Sequence, residues 1–540
     1  MRVVSPKEMA EIERVSFEDY FLNESLIIEM VGIRGADFFE EKILKKEDYG
    51  EIVVLVGKGN NGADGLSMAR QLSNRGHKVR AFLLFPTEIK KGSELGRQIS
   101  MAQSYGVKIT EVKDNDQISA YFTQTQEEFL VIDAILGTGT RLPLSQYLFE
   151  IINLVNKYAT TIVAIDIPSG ITGAGGEMSS TAIEAGHTLA IGLPKIGYYL
   201  SQGMRHAGKI YILKAGFPKN LLEGGDKQLL MPAKVGHLIK KRDKFDHKNR
   251  FGHLLVMGGS KGLTGALIMA ATAGIKVGAG LVSAVTWEDN YIELVTRIMP
   301  EVMTGTIPQK GKLKDVEGLL RDMNRFSAIV LGPGLGKTTE ARELLTEVLN
   351  NFSGPLVLDA DALKLLDLKK DGDALRQRKA PTILTPHIAE FADFTGISRE
   401  DILTDPLGPL RNVIDETNCT FVIKGPCTFV GNPNGEIFIN YFPNDGMATG
   451  GSGDVLAGII GGFLAQIQPT TSTSGMFRDP ERYYEAVNLG VCLHTLAGKY
   501  AAIKHGKFSM TAGSIIESFP RAFKELSYFG QKDGKWPKKS

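Results

Sequence analysis

The chain has 540 residues, more than one hydrophobic core usually serves, so two or three domains are expected. Its 43% hydrophobic and 23% charged residues and net charge of +1 describe a folded globular protein, without the basic field that would draw nucleic acid or an anionic membrane. Three cysteines, Cys419, Cys427 and Cys492, form no CxxC pair and argue against a zinc site or a disulfide framework.

In chain order, the N-terminus is charged and lacks a signal-peptide core, and no apolar run is long enough to span a bilayer, so a cytoplasmic location is expected. Ser5, Pro6 and Glu8 predict a capped helix start, and a second helix is expected near Asn23. After Gly50 strands and helices alternate. IVVLV (52–56) is followed by a glycine turn and the helix LSMARQLSNRG, then by VRAFLLF, FLVIDAIL and TTIVAIDI. This grammar predicts a parallel, doubly wound, Rossmann-like sheet over residues 1–222. Residues 223–234 are polar, contain Gly-Gly and Pro, and read as a linker. A second α/β series, 235–525, runs through HLLVMGG, LVSAVT, AIVLGPG, PLVLDAD, TILTPH and CTFVIKG and ends in helices. Residues 526–540 read as a basic, disordered tail.

Three segments of the first series fall after strands, where open α/β sheets bind ligands. VGKGNNGADG (56–65) has the G-x-G-x-x-G spacing, but the next strand ends in Phe-Pro-Thr and supplies no prompt ribose-binding acid, so an ordinary dehydrogenase site is not indicated. Asn60, Asn61 and Asp64 add amides and a carboxylate. DAILGTGTRLP contributes Asp133, and DIPSG contributes Asp166 and Ser169. Oxygen donors of this kind suit a hard cation. Each segment alone is also a good turn former. Together, in this order, they resemble the NAD(P)H-hydrate epimerase family over most of residues 1–220, with Gly62-Ala63 where that family has two glycines. The resemblance implies a potassium ion on Asn61, Asp133 and Ser169. It implies substrate along Asn60, Asn61, Gly62, Ala63 and Asp64, and along Gly137, Thr138, Gly139, Thr140, Arg141, Leu142 and Pro143, with Asp166 at the reacting carbon as the acid–base candidate. Lys195, in GLPKIG, is either structural or part of that site.

In the second series GPGLGKTT (332–339) is not a P-loop, because only three residues separate Gly332 from Gly336. TPHIAEF sets His387 and Glu390 after a strand. VIKGPCTFV reads as strand, turn, strand, with Lys424 suited to a phosphate. GMATGGSGDVL (446–456) opens an apolar helix through Gly450, Gly451, Ser452 and Gly453, where free N–H groups and the helix dipole favour an anion. Asp454 beside that cradle reads either as an N-cap or as a base for an incoming hydroxyl. FGHLLVMGGSKGLTGA, LGPGLG, DADAL, TPHIAEF, KGPCT and GMATGGSGDVLAG resemble the ADP/ATP-dependent NAD(P)H-hydrate dehydratases, which are ribokinase-like, over about 235–520. TPHIAEF departs from that family's Pro-Gly before the glutamate. The resemblance implies that Ala266, Gly334, His387 and Asp454 contact the hydrated cofactor. Lys424, Gly425, Pro426, Cys427, Thr428 and Gly453 would contact the nucleotide.

The resemblances together imply a repair enzyme for hydrated nicotinamide cofactors. One domain would interconvert the R and S epimers, and the other would phosphorylate the S hydroxyl and expel phosphate. The implied partners are NADHX or NADPHX and magnesium-bound ADP or ATP. Neither nucleic acid nor a membrane is among them, and a homo-oligomer is expected. Two alternatives stay open: a small-molecule kinase with a regulatory N-terminal half, and an N-terminal half that only binds.

Overall fold

The computed structural model describes residues 1–45, 49–90, 92–124, 128–239, 242–307, 323–467 and 479–531. The chain divides into two compact units, with the division between Lys227 and Gln228, inside the segment expected as a linker.

In the first unit the alternation after Gly50 becomes seven strands: β1 (Glu51–Val56), β2 (Val79–Leu83), β3 (Lys108–Glu111), β4 (Phe129–Ala134), β5 (Thr161–Ile165), β6 (His187–Ile191) and β7 (Lys209–Leu213). They pair in parallel in the order β3-β2-β1-β4-β5-β6-β7. The two-residue period of a strand sorts β1 between two cores. Ile52, Val54 and Val56 enter one, Val53 and Leu55 the other, so helices cover both faces. Strand order reverses between β1 and β4, and the loops leaving these strands flank the crevice where such sheets hold ligands. The predicted N-terminal cap is present: Glu8 N–H donates to Ser5 Oγ, and Ser5 N–H donates to the Glu8 carboxylate. Asn23 caps the second helix, Glu24–Phe38.

The second unit has a ten-stranded sheet of β8 (Lys227–Leu229), β9 (His253–Met257), β10 (Leu281–Trp287), β11 (Met303–Ile307), β12 (Ala328–Leu331), β13 (Leu356–Leu358), β14 (Thr382–Leu384), β15 (Thr420–Ile423), β16 (Cys427–Gly431) and β17 (Ile437–Tyr441). The order is β11-β10-β9-β12-β13-β14-β15-β16-β17-β8. Strands from β11 to β15 run parallel; β16 and β17 return antiparallel. The helix Ser452–Ala465 packs its apolar length into the core.

Two expected boundaries differ. Residues 223–234 are not free linker, since they carry β8 and open the short helix Pro232–Val235. The final helix, Phe519–Gln531, runs past residue 526, because Phe519, Ala522 and Leu526 recur at helical spacing and are buried. Residues 532–540 of the expected tail lie outside the described residues.

Gly57 fixes the distance between the β1 and β4 exits. A Cβ there would lie 1.8 Å from the carbonyl oxygen of Ile135, a backbone atom with nowhere to go. Gly57→Ala is expected to destabilise the first unit by about 2–4 kcal/mol through overpacking, read as a lowered Tm for that unit's transition.

Candidate active sites

In the first unit the helix Asn60–Asn74 begins three residues after β1 with Gly59 as N-cap. Asn60, Asn61, Gly62, Ala63 and Asp64 form its first turn. Ala63 is helical and buried, so the methyl group where the family has glycine is absorbed without strain. Asn61 Nδ2 donates to the Leu136 carbonyl at 2.9 Å, tying this turn to the β4 exit. Asn61 Oδ1 is buried without a hydrogen-bond partner.

Asp133 and Ser169 are fully buried and bonded to each other. Ser169 Oγ donates to Asp133 Oδ1 at 2.6 Å, and Ser169 N–H to Oδ2 at 2.8 Å. Ser169 Oγ in turn accepts from Leu136 N–H at 2.9 Å. Burial lifts the Asp133 carboxyl to about 6, against the opposing pull of the Ser169 hydrogen bonds. Asn61, Asp133 and Ser169 therefore meet around the Leu136 carbonyl. The loop Gly137, Thr138, Gly139, Thr140, Arg141, Leu142 and Pro143 continues from there, and Gly137 lies against Asn61. Thr140 closes the turn through Oγ1 to the Gly137 carbonyl at 2.8 Å.

Asp166 follows β5 with φ of 62°, a left-handed conformation that a non-glycine residue holds only when its surroundings enforce it. Tyr198 hydroxyl donates to the Asp166 carbonyl, and Asp166 N–H donates to Leu189 O at 2.9 Å. Asp166 Oδ1 accepts from Ile191 N–H at 3.1 Å and from Lys195 Nζ. Lys195, undecided from the sequence, is thus the buried partner of Asp166, and it also donates to Ile191 O at 2.8 Å. Asp64 is held well above the ordinary carboxylate range, first by burial, then by the charge of Asp166, with Glu13 and Glu24 adding and Lys195 opposing. Glu13 is raised by burial as well. Sequence reasoning missed Glu13, Glu24 and Tyr198, which lie outside any motif.

In the second unit five strand exits supply the site. Gly334, after β12, packs on Leu263, one turn ahead of Ala266 in the helix Thr264–Lys276. Gly336 N–H donates to Asp361 Oδ2 at 3.0 Å, so the turn resembling a P-loop holds a carboxylate of its own chain. His387 N-caps the helix Ile388–Thr395: its Nδ1 accepts from Glu390 N–H at 3.1 Å, and its own N–H donates to the Glu390 carboxylate at 3.0 Å. The Ile388-Ala389 departure is therefore helical and leaves His387 well fixed, with half of its side chain exposed. Lys424 N–H donates to Pro386 O at 2.8 Å, joining the β14 and β15 exits. Gly425 and Pro426 make the turn, while Cys427 and Thr428 begin β16, where Cys427 is buried.

The helix Ser452–Ala465 starts from Gly451 in the left-handed region, φ 88°, and no side chain caps it. Asp454 is the third helical residue, so the N-cap reading fails. Lys424 lies against this turn; its Nζ would be 3.2 Å from a Cβ on Gly453. The same Nζ donates to Asp359 Oδ1 at 2.7 Å, which also accepts from Thr385 Oγ1 at 2.8 Å. Burial raises the Asp454 carboxyl to about 7; Asp359, Asp361 and Glu390 add and Lys424 opposes. Asp359 and Asp361, inside the quoted DADAL, were given no role from sequence. Their strand-end position was the available signal. His494, which meets Ser452 Oγ at 3.3 Å and is kept neutral by burial, sits mid-helix and gave none.

Comparison with known proteins matches residues 254–521 to the family described as NAD(P)H-hydrate dehydratase and residues 25–197 to the one described as YjeF-related protein N-terminus. The bifunctional NAD(P)H-hydrate repair enzyme of Moorella thermoacetica is 31% identical over 536 residues, with 97% of each chain covered. That of Coxiella burnetii is 30% identical, covering 94% of this chain and 97% of its own. Among solved structures, the ADP/ATP-dependent NAD(P)H-hydrate dehydratase from Bacillus subtilis, co-crystallized with ATP/Mg2+, is 25% identical with a TM-score of 0.47, covering 55% of this chain and 98% of that one. The chain belongs to the family of bifunctional NAD(P)H-hydrate repair enzymes, which join an epimerase and a nucleotide-dependent dehydratase in one polypeptide.

Proposed function

We propose that the first unit epimerises the hydrated cofactor in the crevice between Asn60–Asp64 and Gly137–Pro143, with Asp166 at the reacting carbon. The second unit dehydrates the S epimer at Asp454. One observation carries the second assignment: a carboxyl poised near neutrality stands in the first turn of an uncapped, glycine-started helix, with Lys424 against the same turn. A base must be deprotonated yet basic enough to take a hydroxyl proton, and about 7 meets both demands.

Asp454 takes the proton of the ring hydroxyl as its oxygen attacks the terminal phosphorus of ADP or ATP. The phosphoryl oxygens face the N–H group of Gly453 and the ammonium of Lys424, which stabilise the spreading charge. Phosphate then leaves with its bonding pair as the ring nitrogen lone pair assists, and the adjacent carbon gives up a proton to the departing phosphate, which restores the ring double bond. Ala266, Gly334 and His387 line the cofactor side; Gly425, Pro426, Cys427 and Thr428 offer the turn beside the nucleotide. Among the described residues no cluster of three or more His, Cys, Asp or Glu could hold a metal, so magnesium would ride on the nucleotide phosphates.

Potassium fits the first unit. The unpartnered Asn61 Oδ1, the Asp133 carboxylate and the Ser169 hydroxyl form an all-oxygen donor set, as a hard cation requires. When bound, the ion would supply positive charge beside the substrate-binding turn. No helix among the described residues is long and apolar enough to cross a membrane, and we place the chain in the cytoplasm.

Incubation with mixed hydrated NADH epimers, Mg2+ and ADP or ATP should return all of the reduced cofactor, read as nicotinamide absorbance. Recovery halting at the S fraction, after allowance for spontaneous epimerisation, would remove the epimerase assignment. Asp454→Asn should lower dehydration by at least about a hundredfold and leave epimerisation intact, and the wild-type dehydration rate should climb as pH rises through about 7. Exchanging potassium for tetramethylammonium should lower epimerisation about tenfold or more, with Asn61→Ala insensitive to the exchange.

The same carboxyl costs stability. Its folded value, about 7, lies above the ordinary 3.8, so its favourable contribution is complete below the unfolded value and is lost as pH rises through about 7. Asp454→Asn should therefore stabilise the second unit at pH 8, by on the order of 2–4 kcal/mol, and much less at pH 5. Unfolding of that unit at both pH values checks it.

A further inference from the structure

In the first unit three further carboxyl groups and one buried ammonium act on the charge of Asp64. Asp166 comes from the β5 exit, Asp64 from the first turn of Asn60–Asn74, Glu13 from the helix Pro6–Asp19 and Glu24 from the start of Glu24–Phe38. Lys195, from the β6 exit, is the cation acting on both Asp64 and Glu13. It is bonded to Asp166, whose Oδ1 also takes the Ile191 N–H. Both contacts present Asp166 as an acceptor. Asp64 is placed oppositely. It is buried, its Oδ1 has no hydrogen-bond partner, and burial first and the charge of Asp166 second hold its carboxyl well above the ordinary range. Glu24 is engaged by the side-chain amide of Asn60, four residues before Asp64 on the same helix face. A buried carboxyl with an unpartnered oxygen, beside a carboxylate that two donors hold as an acceptor, can supply the acid of an acid–base pair.

The substrate chemistry needs one of each. The carbon to be inverted bears a hydroxyl and the ring nitrogen, which makes it a hemiaminal. We propose that Asp64 is the catalytic acid of the epimerase, paired with Asp166 as base, and that inversion proceeds by opening and reclosing the ring. This rests on the assignment of the epimerase site given above. Asp166 takes the hydroxyl proton, the C–O bond becomes C=O, and the ring C–N bond breaks. Its electron pair passes onto nitrogen and through the conjugated double bond to the carboxamide oxygen, which takes the proton of Asp64. The open aldehyde turns about its C–C bond. Nitrogen then attacks the other face, the carbonyl oxygen recovers the proton held by Asp166, and Asp64 regains its own. Both residues end as they began, as an unforced equilibration requires.

Three measurements on the full chain test this, each corrected for the uncatalysed rate. Single-turnover epimerisation in H2(18)O should retain the substrate oxygen; uptake of one solvent oxygen per inversion would overturn ring opening in favour of loss of water. Wild-type epimerisation should fall at high pH as Asp64 loses its proton. Asp64→Asn should be slower by about a hundredfold or more and lack that descending limb, and Asp64→Glu should recover part of the rate with the limb restored. A rate for Asp64→Asn within threefold of wild type, or a slowed enzyme that keeps the limb, would overturn the acid role. Asp166→Asn separates the two layers. If it is inactive while Asp64→Asn is active, only the acid assignment falls; if both are fully active, the site itself lies elsewhere. The isotope result stands on wild-type protein and does not depend on any variant folding.

Discussion

A carboxylate taken out of water must be paired, be protonated or raise the energy of the fold, and each unit sets several carboxylates about one lysine-bound acid. In the first, the charges of Asp166, Glu13, Lys195 and Glu24 act on Asp64. In the second, those of Asp359, Lys424, Asp361 and Glu390 act on Asp454, with Lys364 bridging Asp361 and Glu390. Each lysine commits to one acid, Asp166 or Asp359, at hydrogen-bonding distance. The acid left over, Asp64 or Asp454, is pushed upward. The shared arrangement leaves one carboxyl in each unit raised above the ordinary carboxylate range.

The two helix starts near these groups are used differently. At Asn60 the first turn is crowded by acids: Asn60 donates to Glu24, and Asp64 lies within the turn. No side chain caps this helix, but a phosphate there would meet the negative charge of these acids. At Ser452 no side chain caps the helix, and the approaching charge is the ammonium of Lys424. Of these two starts, the second has a cation lying against it. Nucleotide-driven chemistry therefore belongs to the second unit, and an isomerisation that needs no driving force to the first.

Much of this was legible in the sequence. Continuous apolar runs such as IVVLV and FLVIDA are buried on both faces and announce central parallel strands. The glycine turns and strand-end acids after them locate the sites. Edge strands were not legible. Lys108–Glu111, Lys209–Leu213 and Met303–Ile307 are short and partly exposed, so their composition resembles that of loops. Partners contributed from afar were also silent: Glu13 lies on a polar helix 153 positions before Asp166, and His494 sits inside the helix Glu481–His505. Pairings of that kind are made by tertiary packing, which no local pattern encodes. Conversely, the P-loop-like GPGLGKTT was rightly refused on spacing, and its Gly336 amide is taken by Asp361.

Strain follows the same geography. Among the described non-glycine residues with positive φ, Asp166 at 62° and Ala360 at 51° sit inside the two sites. Ala360 separates Asp359 from Asp361, and its turn sends one carboxylate to Lys424 and the other to the Gly336 amide. A relaxed extended backbone would alternate successive side chains and could not direct two acids two residues apart to these separate partners. For Asp166 the turn is held by Tyr198 on its carbonyl and by Leu189 and Ile191 on either side, so the side chain reaches Lys195. In both units the backbone stores energy, on the order of 1–3 kcal/mol per residue, at the points where the carboxylates must diverge. The surrounding sheet supplies it, since the strands that lead into these turns, Thr161–Ile165 and Leu356–Leu358, are buried over the residues next to them.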